Sequence, residues 1–140
     1  PSPHDHPELT LLSPGSDSHE HNNYSATAKS SHGENSFLFT GDIEKEAEAD
    51  ILASGATVSA DVLKTAHHGS STSTHKEFLK AVDPEYAVIE VGEGNDYGHP
   101  HKETVKRMEK SDIVIYRTDI LGSIVFVSDG SGLEITAEKV

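Results

Sequence analysis

The sequence predicts an α/β fold, a mixed sheet flanked by helices, and three observations carry that prediction. From Ser36 onward, short runs rich in Val, Ile, Leu and Phe alternate with longer stretches whose apolar residues recur at helical spacing. Glycine, proline or a hydroxyl cluster punctuates most changes of period. Strand and helix in alternation is the pattern of crossover units, whose strands lie parallel in one sheet.

Taken in order, "PELTLLSP" offers a strand over residues 9–12 bracketed by prolines, and "GSDSHEHNN" is a polar loop. "YSATAKSS" alternates small and polar residues as a half-buried strand does. "HGEN" turns the chain, and "SFLFT" pairs back as the second arm of a hairpin. "IEKEAEADILASG" is a helix. Its early turns are acidic, where the helix dipole favours negative charge, Ile43, Ala47, Ile51 and Leu52 recur at helical spacing, and Gly55 stops it. "VSADVLKTA" returns as a strand centred on Val62 and Leu63. "STHKEFLKAV" is a helix with Ser73 or Thr74 as N-cap and Phe78, Leu79 and Val82 facing inward. "PEYAVIEVG" is a strand, and "HPHKETVKRMEK" a helix with Pro100 near its first turn. "DIVIYRT", "SIVFVSD" and "LEITAEK" are three closing strands, the last two joined across "GSG" as a hairpin. The sheet is expected to be partly parallel with an antiparallel end. Residues 1–21 read as a leading segment and 22–140 as the folded unit, with no internal repeat.

Composition narrows the chemistry. A formal charge of −13 argues against broad electrostatic binding to DNA or to anionic lipid, although metal ions can supply positive charge locally. The absence of cysteine removes disulfides, thiolate zinc sites and thiol nucleophiles together. No apolar run is long enough to span a bilayer, and no leader with a basic start and apolar core is visible. The chain opens "PSPHDHPE" without Met, which reads as a fragment or a processed product. Ten histidines in 140 residues are the informative surplus.

Three polar signals fall at one topological place, the loop after a strand and before a helix: "FTGDIE", "TAHHGSS" and "GNDYGHPH". Strand carboxyl ends in an α/β sheet share one edge, and ligands bind in the crevice there. If the strands are parallel neighbours, Asp42, His67, His68 and His99 point to a common patch. A carboxylate and imidazoles converging on an exposed edge are natural ligands for zinc or manganese. Each has a plainer alternative: Asp42 as an N-cap, His99 as a turn residue, and one of the two adjacent histidines as a backbone or substrate contact, since neighbours at a strand end diverge. "HDH" at residues 4–6 reads as an unstructured start, and His19, His21, His32 and His75 as surface residues. Ser70, Ser71 and Ser73 lack a G-x-S-x-G elbow and read as capping hydroxyls.

The TGD, HHGS and N-x-Y-G-H-P motifs, in that order within residues 22–124, resemble the metallo-β-lactamase-like domain of ComEC-type competence proteins and related free-standing hydrolases. The resemblance implies a four-layer αββα sandwich with a dinuclear metal site at the sheet edge. It implies that Asp42 bridges two divalent ions, zinc or manganese, and that His68 binds one of them. His99 would lie near the substrate phosphate or behind the ligands, and Asn23 stands where related proteins carry an asparagine that could touch the site. The family's first metal motif, H-x-[HD]-x-D-H, is absent, so 22–140 resembles the C-terminal half of that domain. Such a half should bind metal weakly alone. It should also expose a sheet face meant for a missing N-terminal half or a second chain, a homodimer included.

The function this implies is metal-dependent hydrolysis, with a phosphodiester as substrate and little activity in this half alone. His67 or His99 would donate to the leaving oxygen or hold the phosphate. Single-stranded DNA is the implied substrate of a competence protein, and a small phosphoester that of a free-standing hydrolase. The alternative is a non-catalytic partner- or surface-binding module that has lost the first ligand motif. By analogy with related domains, the expected location is extracellular or on the outer side of the cytoplasmic membrane.

Overall fold

The computed structural model describes residues 6–13 and 21–140, so His4 and Asp5 of the "HDH" start and residues 14–20 of the polar loop lie outside the described residues. Six strands form one sheet in sequence order: β1 (Glu8–Ser13), β2 (Thr27–His32), β3 (Asn35–Phe39), β4 (Val62–Lys64), β5 (Tyr86–Ile89) and β6 (Val114–Arg117). The first three pair antiparallel, and β3 to β6 pair parallel. The mixed sheet therefore stands as predicted, with its antiparallel end at the N-terminal side.

Each parallel step is made by one helix: α1 (Lys45–Ala53), α2 (Lys76–Val82) and α3 (Lys102–Glu109). The strands advance in one direction, so right-handed crossovers put all three helices on the same face. The pleat confirms this. Leu38, Leu63 and Ala87 stand in register, and with Ile89 they form one buried cluster with Ala47, Ile51, Phe78, Leu79, Val82 and Met108 of the helices.

The opposite face carries Phe37, Val62 and Tyr86 in register. Here the structure departs from the sequence reading. A short helix α4 (Thr118–Leu121) follows β6, and β7 (Ile124–Ser128) and β8 (Leu133–Ala137) form a separate two-stranded ribbon. The hydroxyl of Thr118 donates to the carbonyl of Val91 (2.8 Å) and accepts the Val91 N–H (2.8 Å), which turns the chain off the sheet edge. The ribbon lays Phe126 across the sheet, its ring 6.4 Å from Phe37, 6.0 Å from Tyr86 and 5.6 Å from Tyr116. An apolar cleft of about 260 Å³ remains beside it, lined by Phe39, Lys64, Val88 and Ile124 among others. Among the described residues no helix is long and apolar enough to cross a membrane.

Helix α2 starts later than its hydroxyls suggest. Ser73 is buried and donates its hydroxyl to the Ile43 carbonyl (2.6 Å), so it is not the cap. The first free N–H, on His75, is met by both carboxylate oxygens of Glu48 from α1, at 3.0 and 3.2 Å. Glu48 is 2% exposed, and burial pushes its carboxyl pKa above the ordinary value, partly offset by the His75 contacts. A raised folded-state pKa means the Glu48 contribution is full below its unfolded value and lost as pH rises through the folded value. The wild type should therefore lose urea resistance relative to Glu48→Gln as pH rises from about 4.5, the model-compound value. Parallel pH profiles for the two proteins would rule this out.

Candidate metal and phosphate site at the sheet edge

The three polar loops meet as the parallel register requires, because each leaves the carboxyl end of an adjacent strand. In the first loop, Thr40 is fully buried and its hydroxyl donates to the Lys64 carbonyl (2.7 Å), tying the loop to β4. Gly41 has φ +53, and a Cβ there would stand 2.9 Å from Cβ of Ser25. Its carbonyl accepts the His67 N–H at 3.0 Å. Asp42 then projects from the loop with its side chain 43% exposed. It caps nothing: the N-cap of α1 is Glu44, whose N–H is taken by the buried Asn23 side chain at 2.9 Å. Asn23 thus supports the α1 start, with its amide also 3.4 Å from Glu46, rather than touching the histidines.

The second loop carries the unusual backbone. His67 (φ 50, ψ 45), His68 (φ 55, ψ 28) and Gly69 (φ +79) are consecutive left-handed residues. For each histidine that conformation costs about 1–2 kcal/mol, so the surroundings must enforce it. They do so from a distance in sequence. The N–H of His101 donates to the Gly69 carbonyl (3.0 Å), Thr104 donates its hydroxyl to the Ser70 carbonyl (3.0 Å), and the Ser71 N–H donates to Nδ1 of His101 (2.9 Å). The expectation that adjacent histidines diverge assumed a strand. In the left-handed run both rings approach His99 instead, His67 at 5.6 Å and His68 at 6.3 Å between centroids.

The histidines are oriented differently. Nδ1 of His68 lies 2.8 Å from the Glu90 carbonyl, which can only accept, so the proton sits on Nδ1. The lone pair of Nε2 is then free, and Nε2 stands 3.7 Å from Oδ1 of Asp42. Nδ1 of His67 faces Oε1 of Glu44 at 3.3 Å, and the Thr72 hydroxyl also donates to that oxygen at 3.3 Å. His99 has its pKa lowered, first by burial and then by the nearby His101, His67 and His68, which favours its neutral form. Asn95 holds the third loop: its amide donates to the Gly92 and His99 carbonyls (3.0 and 2.7 Å) and accepts the N–H of Tyr97 and His99 (3.2 and 3.0 Å).

All four predicted residues, Asp42, His67, His68 and His99, therefore sit together. Glu44 and His101 are the additions. Glu44 is hidden among the acids of the helix start, and His101 escapes the sequence reading although its place two residues past His99 in the same motif is a signal that could have found it. Ser70, Ser71 and Ser73 do not cap α2 as their sequence position suggests: they bond Thr72, His101 and the Ile43 carbonyl, and the cap position is His75.

A tetrahedral ion with donors at about 2.0–2.1 Å holds two of them about 3.3 Å apart. Asp42 and His68 stand near that separation, and His68 has its second nitrogen anchored as metal-ligating histidines do. The pair fits one edge of a metal site. Among the described residues no three His, Asp or Glu side chains form a group able to hold an ion.

No protein-family model matches the chain. It is 38% identical over 120 residues to ComE operon protein 3 of Bacillus subtilis (strain 168), covering 85% of this chain and 16% of that protein. It is 36% identical over 104 residues to Competence protein ComA of Neisseria gonorrhoeae, covering 74% of this chain and 15% of that protein. Recombination protein 2 of Haemophilus influenzae is 32% identical over 103 residues, covering 74% of this chain and 13% of that protein. The chain thus spans less than a fifth of the length of each of these relatives.

Proposed function

We propose, because the chain is homologous to one segment of bacterial competence proteins, that it forms part of a metal-dependent phosphodiester hydrolase acting on single-stranded DNA during DNA uptake. The observation that carries this reading is the pairing of Asp42 Oδ1 with a His68 Nε2 whose lone pair is left free by the Glu90 carbonyl. Asp42 and His68 would hold the ion, zinc or manganese. When bound, divalent ions supply positive charge at the phosphoryl oxygens and lower the pKa of a water, which a chain of charge −13 cannot do by itself.

The remaining groups work on the substrate. His67, whose Nδ1 faces Glu44 and whose ring lies 5.6 Å from that of His99, would take or give a proton there. His99, kept neutral, can donate a hydrogen bond to a phosphate oxygen without adding charge. The missing donors belong to the remainder of a longer protein or to a second chain. The apolar face bearing Phe39 and Val114, 46% and 48% exposed, is where that part would pack. A small phosphoester would be accommodated by the same groups. The outer side of the cytoplasmic membrane is the location that fits capture of incoming DNA.

A second reading is a binding module without catalysis, and the lack of a three-donor group among the described residues favours it. Elemental analysis of the full-length protein separates the two. Stoichiometric zinc or manganese that is lost in the Asp42→Ala, His68→Ala double variant, together with loss of metal-dependent cleavage of a single-stranded oligonucleotide, is the expected result. A wild type that takes up neither metal after both are supplied leaves the binding module.

A further inference from the structure

Tyr97 is the most exposed aromatic side chain among the described residues, at 78%, yet it sits on a loop held by the Asn95 side chain. Its N–H is held by Oδ1 of Asn95, and the same amide pins residues 92 and 99 on either side. Its ring lies nearly parallel to that of His99, 5.7 Å between centroids and 19° between planes. His99 is in turn backed by His101 at 4.6 Å. A ring on a pinned backbone, with a second ring stacked beside it and most of its surface in water, leaves binding less freedom to remove.

Loop charge says what could cover it. Residues 92–101 contain Glu93 and Asp96 and no Lys or Arg, so around Tyr97 the loop has no fixed cation for a strand's phosphates, and its histidines lie to one side at the cluster. Attraction has to come from a flat, polarisable surface that tolerates negative surroundings. An unpaired nucleobase meets that description, and every base presents a face that stacks on an aromatic ring. Building on the hydrolase reading, we propose that Tyr97, supported by His99, is a stacking platform for the base next to the phosphate held at the histidine cluster. It is a specificity residue that selects a single-stranded nucleic acid over a simple phosphoester.

The test is the affinity of the full-length protein for a fluorescent oligothymidylate 12-mer and for an abasic 12-mer of equal length, by anisotropy at fixed salt. The wild type should prefer the base-bearing strand. Tyr97→Ala should weaken that strand by about 5- to 150-fold and Tyr97→Phe by less than about twofold, so that the ratio between the two probes collapses only in the alanine variant. A wild type with no preference for bases, or a Tyr97→Ala that weakens both probes equally, overturns the platform. Manganese-dependent cleavage is followed in parallel. Cleavage without a Tyr97-dependent base preference sinks the platform and leaves the hydrolase. The preference without cleavage keeps the platform and sinks the hydrolase.

Discussion

Gly69→Ala should cost about 2–5 kcal/mol of folding stability and scatter the histidine cluster. Two independent terms add. An alanine held at φ +79 carries left-handed strain of about 1–2 kcal/mol. Its Cβ would also stand 2.7 Å from Cβ of Pro100 and 3.2 Å from Cγ2 of Ile89, and neither neighbour can swing away. Overpacking of that kind costs about 1–3 kcal/mol. Gly55→Ala is the control, since Gly55 has a similar φ of +75 and nothing within 4 Å of the added carbon. Urea denaturation should therefore show Gly69→Ala clearly worse than Gly55→Ala. Equal losses would mean that the third loop does not press on the second.

Phe78→Ala should be more damaging to the fold itself, by about 3–5 kcal/mol. The ring is 2% exposed in the cluster where α2 meets the sheet, so its removal leaves a cavity that surrounding Leu38, Leu63 and Ile89, all fully buried, cannot close. A domain of this size has about 5–15 kcal/mol in total, so the variant should be partly unfolded at 37 °C. Phe39→Ala, at 46% exposure on the opposite face, should lose less than about 1.5 kcal/mol. Thermal melts of the two side by side decide the matter: comparable shifts would place the core on the wrong face of the sheet.

Periodicity was enough for most of the strands and, granted parallel neighbours, for the convergence of Asp42, His67, His68 and His99, because parallel crossovers leave few choices of where a loop can go. The competence resemblance is matched by the relatives found. What escaped is non-local. Ser73 looks like a cap until its hydroxyl is seen bonded to Ile43, and Glu48 looks like a surface acid until its carboxylate is seen holding the first N–H of α2. The left-handed run at His67 and His68 has no local cause at all, since only Gly69 favours it by itself. Likewise β7 and β8 have ordinary strand patterns, and nothing in them announces that Phe126 will cross the sheet instead of extending it.

The fastening of the histidine loop by α3 has a consequence in time. Ser70 and Ser71 are held by Thr104 and His101, 34 and 30 residues further along the chain. At a synthesis rate of about 5–20 residues per second, the ribosome reaches those fasteners roughly 1.5–7 s after the loop itself. Through that interval the imidazoles exist without their arrangement, as ordinary side chains on a relaxed backbone. A nascent chain is therefore inert at this edge until its last crossover is laid down, and any competence for chemistry is switched on by completion rather than by the appearance of the motif.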